Sequence, residues 1–172
     1  MADCTVAINY VLQWEDAGLT GVITHTRDGL RTRYGIDEHY HPELTNSLFY
    51  GSMGSTPALE IAYAIYRTSY CPPLCIEEIQ NQAVANKLLC LGVNVGIVTA
   101  SKMLQDALCV DGDGHIGPIT LHALENDGST TGGYAGVLAQ LREEAENHYL
   151  ELVEKYPEKR VYLKDWMRRA AA

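Results

Sequence analysis

The chain has 172 residues, of which 47% are hydrophobic, and it carries a formal net charge of −9. This length and composition suffice for the core of one domain, and no apolar run is long enough to predict a transmembrane helix. The acidic charge argues against binding to nucleic acids or anionic surfaces, which require basic patches. Any polyanionic substrate must therefore be held by short-range contacts.

The N-terminal segment and the cysteines predict where the protein is made and in which redox state. Residues 1–11 contain no Lys or Arg and no continuous apolar stretch, so we expect synthesis in the cytoplasm without a signal peptide. The cysteines are odd in number and widely spread, which favours reduced, mostly buried thiols over a disulfide scaffold. They are Cys4, Cys71, Cys75, Cys90 and Cys109. Their spacing predicts no metal site.

A short amphipathic helix near the N-terminus places one acidic residue in an unusual position. Ile8, Val11 and Leu12 precede Glu15 at helical spacing, so Glu15 lies on their apolar face. Gly18 is a natural stop for this helix, and a helix C-terminus disfavours a negative charge. Both effects favour a protonated carboxyl group near neutral pH, as a general acid requires. The alternative is an ordinary solvated glutamate.

Residues 21–36 predict a β-hairpin that follows this helix. Apolar and polar residues alternate on both sides of Asp28-Gly29, a pair that favours a tight two-residue turn. Thr32 and Tyr34 would share one face of the second strand. Asp28 and Thr32 need no function, since an aspartate suits the turn and a threonine suits the strand. Nevertheless, a helix glutamate facing a hairpin carboxylate or hydroxyl is an arrangement that glycoside cleavage can use.

The rest of the sequence predicts helices, so the fold class is mainly α with one hairpin. The segment after Val110 resembles a calcium loop, but Cys109 and Thr120 would occupy its first and last ligand positions, which favours a tight glycine-rich turn instead. The first of these predicted helices starts at Pro57 and ends before Pro72. Further helices are predicted over 76–91, 93–108 and 137–156, and a short one from Gly117 to about Leu124. Residues 161–166 are expected to form a tail that docks on the body.

Several segments, in order along almost the whole chain, resemble one known family. Trp14-Glu15 followed by Arg27-Asp28-Gly29-Leu-Arg-Thr32-Arg33-Tyr34-Gly35-Ile36 is similar to the Glu-Gly-Gly-Tyr and Asp-x-Gly-Gly-x-Thr-Lys-Tyr-Gly-Ile pattern of glycoside hydrolase family 108. Further similar segments are Ile65-Tyr66-Arg67-Thr-Ser-Tyr70-Cys-Pro-Pro-Leu74, Val93-Asn94-Val-Gly96 and Trp166-Met-Arg-Arg169. The family comprises N-acetylmuramidases that are often labelled secretion activators and also occur as phage endolysins.

The resemblance implies a single lysozyme-like helical domain over residues 1–172. Residues 1–90 would hold the catalytic helix and hairpin, and residues 91–172 would resemble a predicted peptidoglycan-binding region. The implied reaction cleaves the β-1,4 bond between N-acetylmuramic acid and N-acetylglucosamine without a cofactor. Glu15 falls on the catalytic glutamate, while Asp16-Ala17 and Leu30-Arg31 depart from the family's glycines.

The expected site residues follow from this resemblance and from the hairpin chemistry. Glu15 is expected to act as the acid, and Asp28 and Thr32 are expected to position water or stabilise the developing oxocarbenium ion. The saccharide cleft is expected to contain Tyr34, Tyr70 and Asn94. The expected partner is the peptidoglycan glycan strand, and a holin or a secretion system is the expected partner for export. The expected place of action is the cell wall, in the periplasm or a host envelope. A catalytically weak wall-binding protein and a lytic transglycosylase are the alternatives.

Overall fold

A computed structural model describes residues 1–25 and 29–172. Within these ranges the protein is mainly helical, as the sequence predicts, and contains one three-stranded antiparallel sheet. The helices are α1 (Cys4–Glu15), α2 (Ser55–Ile65), α3 (Gln82–Val95), α4 (Ile97–Ala107), α5 (Pro118–Gly128), α6 (Gly133–Lys155) and α7 (Leu163–Ala171). The strands are β1 (Thr24–His25), β2 (Arg31–Arg33) and β3 (Ile36–Asp37).

Helix α1 forms as its apolar spacing predicts. The Asp3 carboxylate caps its first turn by accepting a hydrogen bond from the Thr5 amide at 2.7 Å. Its buried face includes the predicted residues Ile8 and Val11, and the helix ends at Glu15. This burial fixes the direction in which the last turn of the helix faces.

Helix α3 is the centre of the core and packs against α1, α4 and α6. The side chain of Asn81 caps it, so the helix begins six residues later than the sequence predicts, and a separate 3-10 turn covers Ile76–Glu78. Gly96 then separates α3 from α4 with a φ of +90°, a conformation that glycine adopts readily. The two helices can therefore change direction without a linker.

The sheet contains a third strand and a tight turn that the predicted hairpin does not include. Arg33 pairs with Ile36, so the two-residue turn consists of Tyr34 and Gly35, whose φ values are +52° and +77°. The predicted turn at Asp28-Gly29 involves Asp28, which lies outside the described residues. A two-residue turn at Asp28-Gly29 would pair His25 with Thr32. His25 pairs with Arg31, so the register of β1 and β2 is shifted by one residue from that expectation.

The prediction that all cysteines are reduced is wrong. Cys4 and Cys71 form a disulfide with a Cα–Cα distance of 6.5 Å, which joins the start of α1 to the residue after a π-helical turn at Tyr66–Tyr70. Their separation of 67 residues gives no local pattern from which this contact can be read. Among the free thiols, Cys90 is buried as expected, whereas Cys109 is exposed.

The glycine-rich segment before α5 is held by a protein side chain rather than built around ligand oxygens. The buried Gln105 amide donates to Asp113 at 2.7 Å and accepts from the Gly114 backbone at 2.9 Å. Among the described residues, no group of three or more His, Cys, Asp or Glu side chains is arranged to hold a metal ion. None of the described helices has the length and apolarity needed to cross a bilayer.

Candidate functional site

The carboxyl group of Glu15 contacts an arginine from the opposite end of the chain. Arg169, on α7, donates from Nη1 to Glu15 Oε1 at 2.7 Å, and the side chains of Arg169 and Glu15 are only 12% and 19% exposed. The same guanidinium lies 5.7 Å from the ring centroid of Trp14. Helix α7 therefore completes the surroundings of the residue that the sequence places at the centre of the site.

The turn of the sheet packs directly on Glu15 from another side. A Cβ atom added at Gly35 would lie 2.6 Å from Glu15 Cγ and 2.5 Å from the hydroxyl oxygen of Tyr66. That Tyr66 hydroxyl donates to the Tyr34 carbonyl at 2.8 Å. Only glycine fits at position 35, because its φ is positive and no space remains for a side chain.

The negative charge of Glu15 affects the pKa of the groups beside it. Burial lowers the pKa of Arg169, but the charge of Glu15, together with Cys90 and Tyr149, outweighs this effect, so the net pKa is raised. Burial, followed by the negative charge of Glu15, raises the pKa of Tyr66 well above its ordinary value. Tyr66 is thus a neutral hydroxyl beside an ion pair.

Arg169 of this ion pair lines one cavity, and that cavity shares one residue, Asn94, with a second cavity. The Tyr70 cavity has a volume of about 470 Å³, and the tryptophan cavity has a volume of about 640 Å³. The Tyr70 cavity is lined by Tyr40, His41, Ser69, Tyr70 and residues 92–97. The tryptophan cavity is lined by Tyr10, Gln13, Trp14, Asn94, Tyr162, Asp165, Trp166, Arg168 and Arg169.

Glu15 is connected to both cavities. It binds Arg169 in the wall of the tryptophan cavity, and it adjoins Tyr66, whose ring centroid lies 5.6 Å from that of Tyr70. The arrangement brings together three of the residues predicted from sequence, namely Glu15, Tyr70 and Asn94. Glu15 is not itself a lining residue of either cavity, and Arg169, together with Tyr66 through Tyr70, links it to them.

Asn94 is oriented by an aromatic network from the C-terminal helices. Its Oδ1 accepts a hydrogen bond from the hydroxyl of Tyr149 at 2.7 Å. Tyr149 is stacked on Trp166, with ring centroids 5.2 Å apart and an interplanar angle of 20°. Burial raises the pKa of Tyr149, so its hydroxyl stays neutral and continues to donate. The side-chain amide of Asn94 is thus held in one orientation at the junction of the cavities.

The hairpin residues have different environments from those expected. Thr32 donates from its hydroxyl to Asp37 Oδ2 at 3.1 Å, which adds a carboxylate that the sequence analysis did not consider. Asp28 lies outside the described residues. Tyr34 is only 2% exposed, and its hydroxyl donates to backbone carbonyls at 3.1–3.3 Å, so it is a core residue and does not line either cavity. The strand pattern could not reveal that Tyr34 lies in a turn.

The positions that depart from the family pattern have structural contacts. The Asp16 carboxylate accepts hydrogen bonds from the Thr20 hydroxyl and from the Gly21 amide, so it orders the loop after α1. Arg31 binds the buried Glu38 side chain at 2.5 Å. Hydrogen bonding from Arg31 is the main cause that lowers the pKa of Glu38 to about 2. Both departures therefore support the loops around the site.

Three residues of the tryptophan cavity beside Glu15 were not predicted as site residues from the sequence, namely Trp14, Trp166 and Arg169. The signal was present in the segment from Trp166 to Arg169, which resembles the closing Trp-x-x-Arg of the family. A separation of three positions places Trp166 and Arg169 within one turn on α7, where both line the tryptophan cavity.

Comparisons with known proteins agree with this geometry. Residues 99–171 match a family model described as "Predicted Peptidoglycan domain", and this part of the chain contains both Trp166 and Arg169. The structure is similar to that of SagA from Brucella abortus, with a TM-score of 0.73, 20% identity, and coverage of 98% of this chain and 89% of that one. The predicted lysozyme-like helical fold is thereby confirmed. No curated protein matches the sequence significantly.

Proposed function

We propose that this protein is a peptidoglycan glycosidase, an N-acetylmuramidase of the glycoside hydrolase family 108 type, with Glu15 as its general acid. The observation that carries the proposal is the position of Glu15, which is linked to two cavities that meet at Asn94. The match of residues 99–171 to a peptidoglycan domain supports the same substrate.

The proposed reaction begins with proton transfer from Glu15 to the glycosidic oxygen. The bond between the sugar C1 and that oxygen then breaks. Water adds to C1 and gives its remaining proton to a carboxylate base, and proton exchange with solvent restores the acid form of Glu15. Asp28 and Thr32 would position this water or stabilise the developing oxocarbenium ion. The hydrogen bond from Thr32 to Asp37 makes Asp37 a second carboxylate that can orient this water through the threonine hydroxyl.

The ion pair with Arg169 defines one further requirement. A general acid must face the glycosidic oxygen, whereas Oε1 of Glu15 accepts a hydrogen bond from Arg169. We propose that glycan in the tryptophan cavity, whose wall includes Arg169, draws the guanidinium toward substrate oxygens and frees Oε1 to face the glycosidic oxygen.

The test is the release of reducing ends from purified peptidoglycan by the wild type, Glu15→Gln and Glu60→Gln. Glu60 is an exposed glutamate on α2 and provides a matched control. We expect Glu15→Gln to lower the rate by about 10²–10⁴-fold, the usual contribution of general acid catalysis, and Glu60→Gln to leave it unchanged. Equal rates for all three proteins would refute the assignment of Glu15.

The second candidate function is a wall-binding or secretion-accessory protein that lacks strong catalysis. The observation that favours it is the same ion pair, because a carboxylate neutralised by arginine is also a common structural feature. Sedimentation with peptidoglycan without release of reducing ends would support this candidate. Product ends of the 1,6-anhydro type would instead identify lytic transglycosylation by the same acid.

The disulfide supports action outside the cytoplasm. Disulfides such as Cys4–Cys71 form and persist in oxidising compartments, which include the periplasm and the cell exterior. We therefore propose that the protein acts on the cell wall after export, with a holin or a secretion system as the export partner.

A further inference from the structure

The tryptophan cavity contains both tryptophans of the chain. Trp14 precedes Glu15 on α1, and Trp166 lies on α7, so the two indoles come from opposite ends of the sequence. Tyr10 and Tyr162 also line the cavity. Its volume of about 640 Å³ lies within the range of small-molecule sites. None of these aromatic residues belongs to the set that the sequence analysis assigned to the saccharide cleft.

The two indoles are held in position before any ligand binds. Trp166 is stacked on the buried Tyr149 and lies 5.7 Å from the ring of Tyr162. Trp14 lies beneath the guanidinium of Arg169. Both indoles are half-buried and yet line the cavity. Rings held in this way lose little conformational entropy when a ligand packs on them.

Both arginines of the cavity wall have an acidic partner. Arg168 is paired with Asp165 in the wall at 3.7 Å, and Arg169 is paired at 2.7 Å with Glu15, which lies outside the wall. The other lining residues are aromatic or amide side chains. This combination suits a neutral sugar, since aromatic rings pack on the apolar face of a pyranose and amides bind its polar substituents.

We propose that the tryptophan cavity binds N-acetylhexosamine units of a β-1,4-linked glycan, next to Glu15 and across Asn94 from the Tyr70 cavity. The inference rests on the proposed function, because it assigns the sugars on one side of the bond that Glu15 would cleave. The amides of Asn94 and Gln13 are the groups available to bind the acetamido substituents, and Trp14 and Trp166 supply the packing surfaces.

Intrinsic fluorescence tests this proposal directly, because no tryptophan lies elsewhere in the chain. The Glu15→Gln protein would be titrated with tri-N-acetylchitotriose, so that hydrolysis does not interfere. We expect a saturable change in tryptophan emission. Trp14→Phe and Trp166→Phe each keep one reporter and should weaken binding by about fivefold or more, as expected for loss of an aromatic contact worth about 1 kcal/mol. Tyr156→Phe, outside the cavity, is the control and should not change the affinity.

The outcomes separate this inference from the proposed function. An absence of any saturable emission change would overturn the inference, and release of reducing ends by the wild type would still support the glycosidase. Saturable binding without any hydrolysis by the wild type would support the inference and refute the glycosidase. Cellotriose, which lacks acetamido groups, should bind more weakly, and equal affinity for the two trisaccharides would overturn the assignment to N-acetylhexosamines.

Discussion

The two ends of α1 are fixed by different kinds of interaction. Its first residue, Cys4, is joined covalently to Cys71, whereas its last residue, Glu15, is held by an ion pair with Arg169 and by packing on Gly35. A covalent bond keeps its partners together permanently, but an ion pair can exchange one partner for another. The end of the helix that carries the candidate acid is therefore the end that can respond to a ligand.

The non-covalent end depends on a second buried cation. Lys87 on α3 is 2% exposed and donates from Nζ to the carbonyls of Arg169 and Ala170, at 2.6 and 2.5 Å. These carbonyls belong to the last turn of α7, where backbone acceptors lack helical partners and the helix dipole favours a cation. Lys87 thus holds the backbone that carries Arg169, and Arg169 contacts Glu15.

Removal of the covalent anchor should have the largest effect on stability. The disulfide closes a loop of 67 residues, so the double variant Cys4→Ser/Cys71→Ser should lose about 4 kcal/mol of unfolding free energy, from the entropy gained by the unfolded chain. Denaturant unfolding of the two proteins measures this difference. The exposed thiol of Cys109 offers the control, since Cys109→Ser should change stability by less than about 0.5 kcal/mol.

The same variant also tests whether the two ends of α1 act separately. If they do, the folded double variant should retain activity within a few-fold of the wild type at a temperature where both proteins are folded. A large loss of activity in the fully folded variant would contradict the comparison, because the covalent anchor would then also position Glu15.

Removal of Arg169 should have a smaller effect on stability. Arg169→Met leaves the mostly buried Glu15 without its cation and should cost about 2–3 kcal/mol of unfolding free energy. Denaturant unfolding of the variant and the wild type measures this difference.

Arg168→Met is the matched control for this prediction. Arg168 lies next to Arg169 on α7, but its side chain is 68% exposed and pairs only with the exposed Asp165. It should change stability by less than about 1 kcal/mol. If both variants lost the same unfolding free energy, the cause would be the overall charge of α7 and not the ion pair with Glu15.

The sequence could predict the features that depend on local periodicity. The apolar spacing of Ile8, Val11 and Leu12 defined α1 and the position of Glu15, because a helical face repeats within a few residues. Periodicity contains no information about contacts between distant segments. It therefore missed the disulfide, whose cysteines are 67 residues apart, and the ion pair, whose partners are 154 residues apart.

The sheet illustrates a second limit. Alternation favoured a strand through Tyr34, whereas the structure places Tyr34 in a turn with a φ of +52°. A bulky residue rarely adopts this conformation, so its presence in the turn depends on tertiary contacts. Burial of the ring and the bonds of its hydroxyl to distant carbonyls supply those contacts. The neighbouring Gly35 was the only local indication of the turn.

Substitution of Lys87 should have the smallest effect on the free energy of unfolding, and the size of that effect should depend on pH. Burial is the main cause that lowers the pKa of Lys87 from 10.5 to about 8, and the charged groups around it are Cys90, Arg142, Glu146 and Arg169. Between pH 8 and 10.5 the unfolded state binds more protons at this site than the folded state. The contribution of Lys87 to stability should therefore rise with pH through this window, because the folded protein no longer has to bury a charge.

Lys87→Met keeps the length of the side chain but removes both hydrogen bonds to α7. At pH 10 the wild-type lysine is neutral and still donates both hydrogen bonds, so we expect the variant to lose about 1–2 kcal/mol of unfolding free energy. At pH 7.5 the wild type buries a charge, so we expect the variant to lose less unfolding free energy. Urea unfolding of both proteins at the two pH values measures the difference, and the titration of the tyrosines cancels between them. A loss that was larger at pH 7.5 than at pH 10 would mean that the charge of Lys87 stabilises the end of α7. The non-covalent end of α1 would then depend on an electrostatic attraction that weakens as the pH rises.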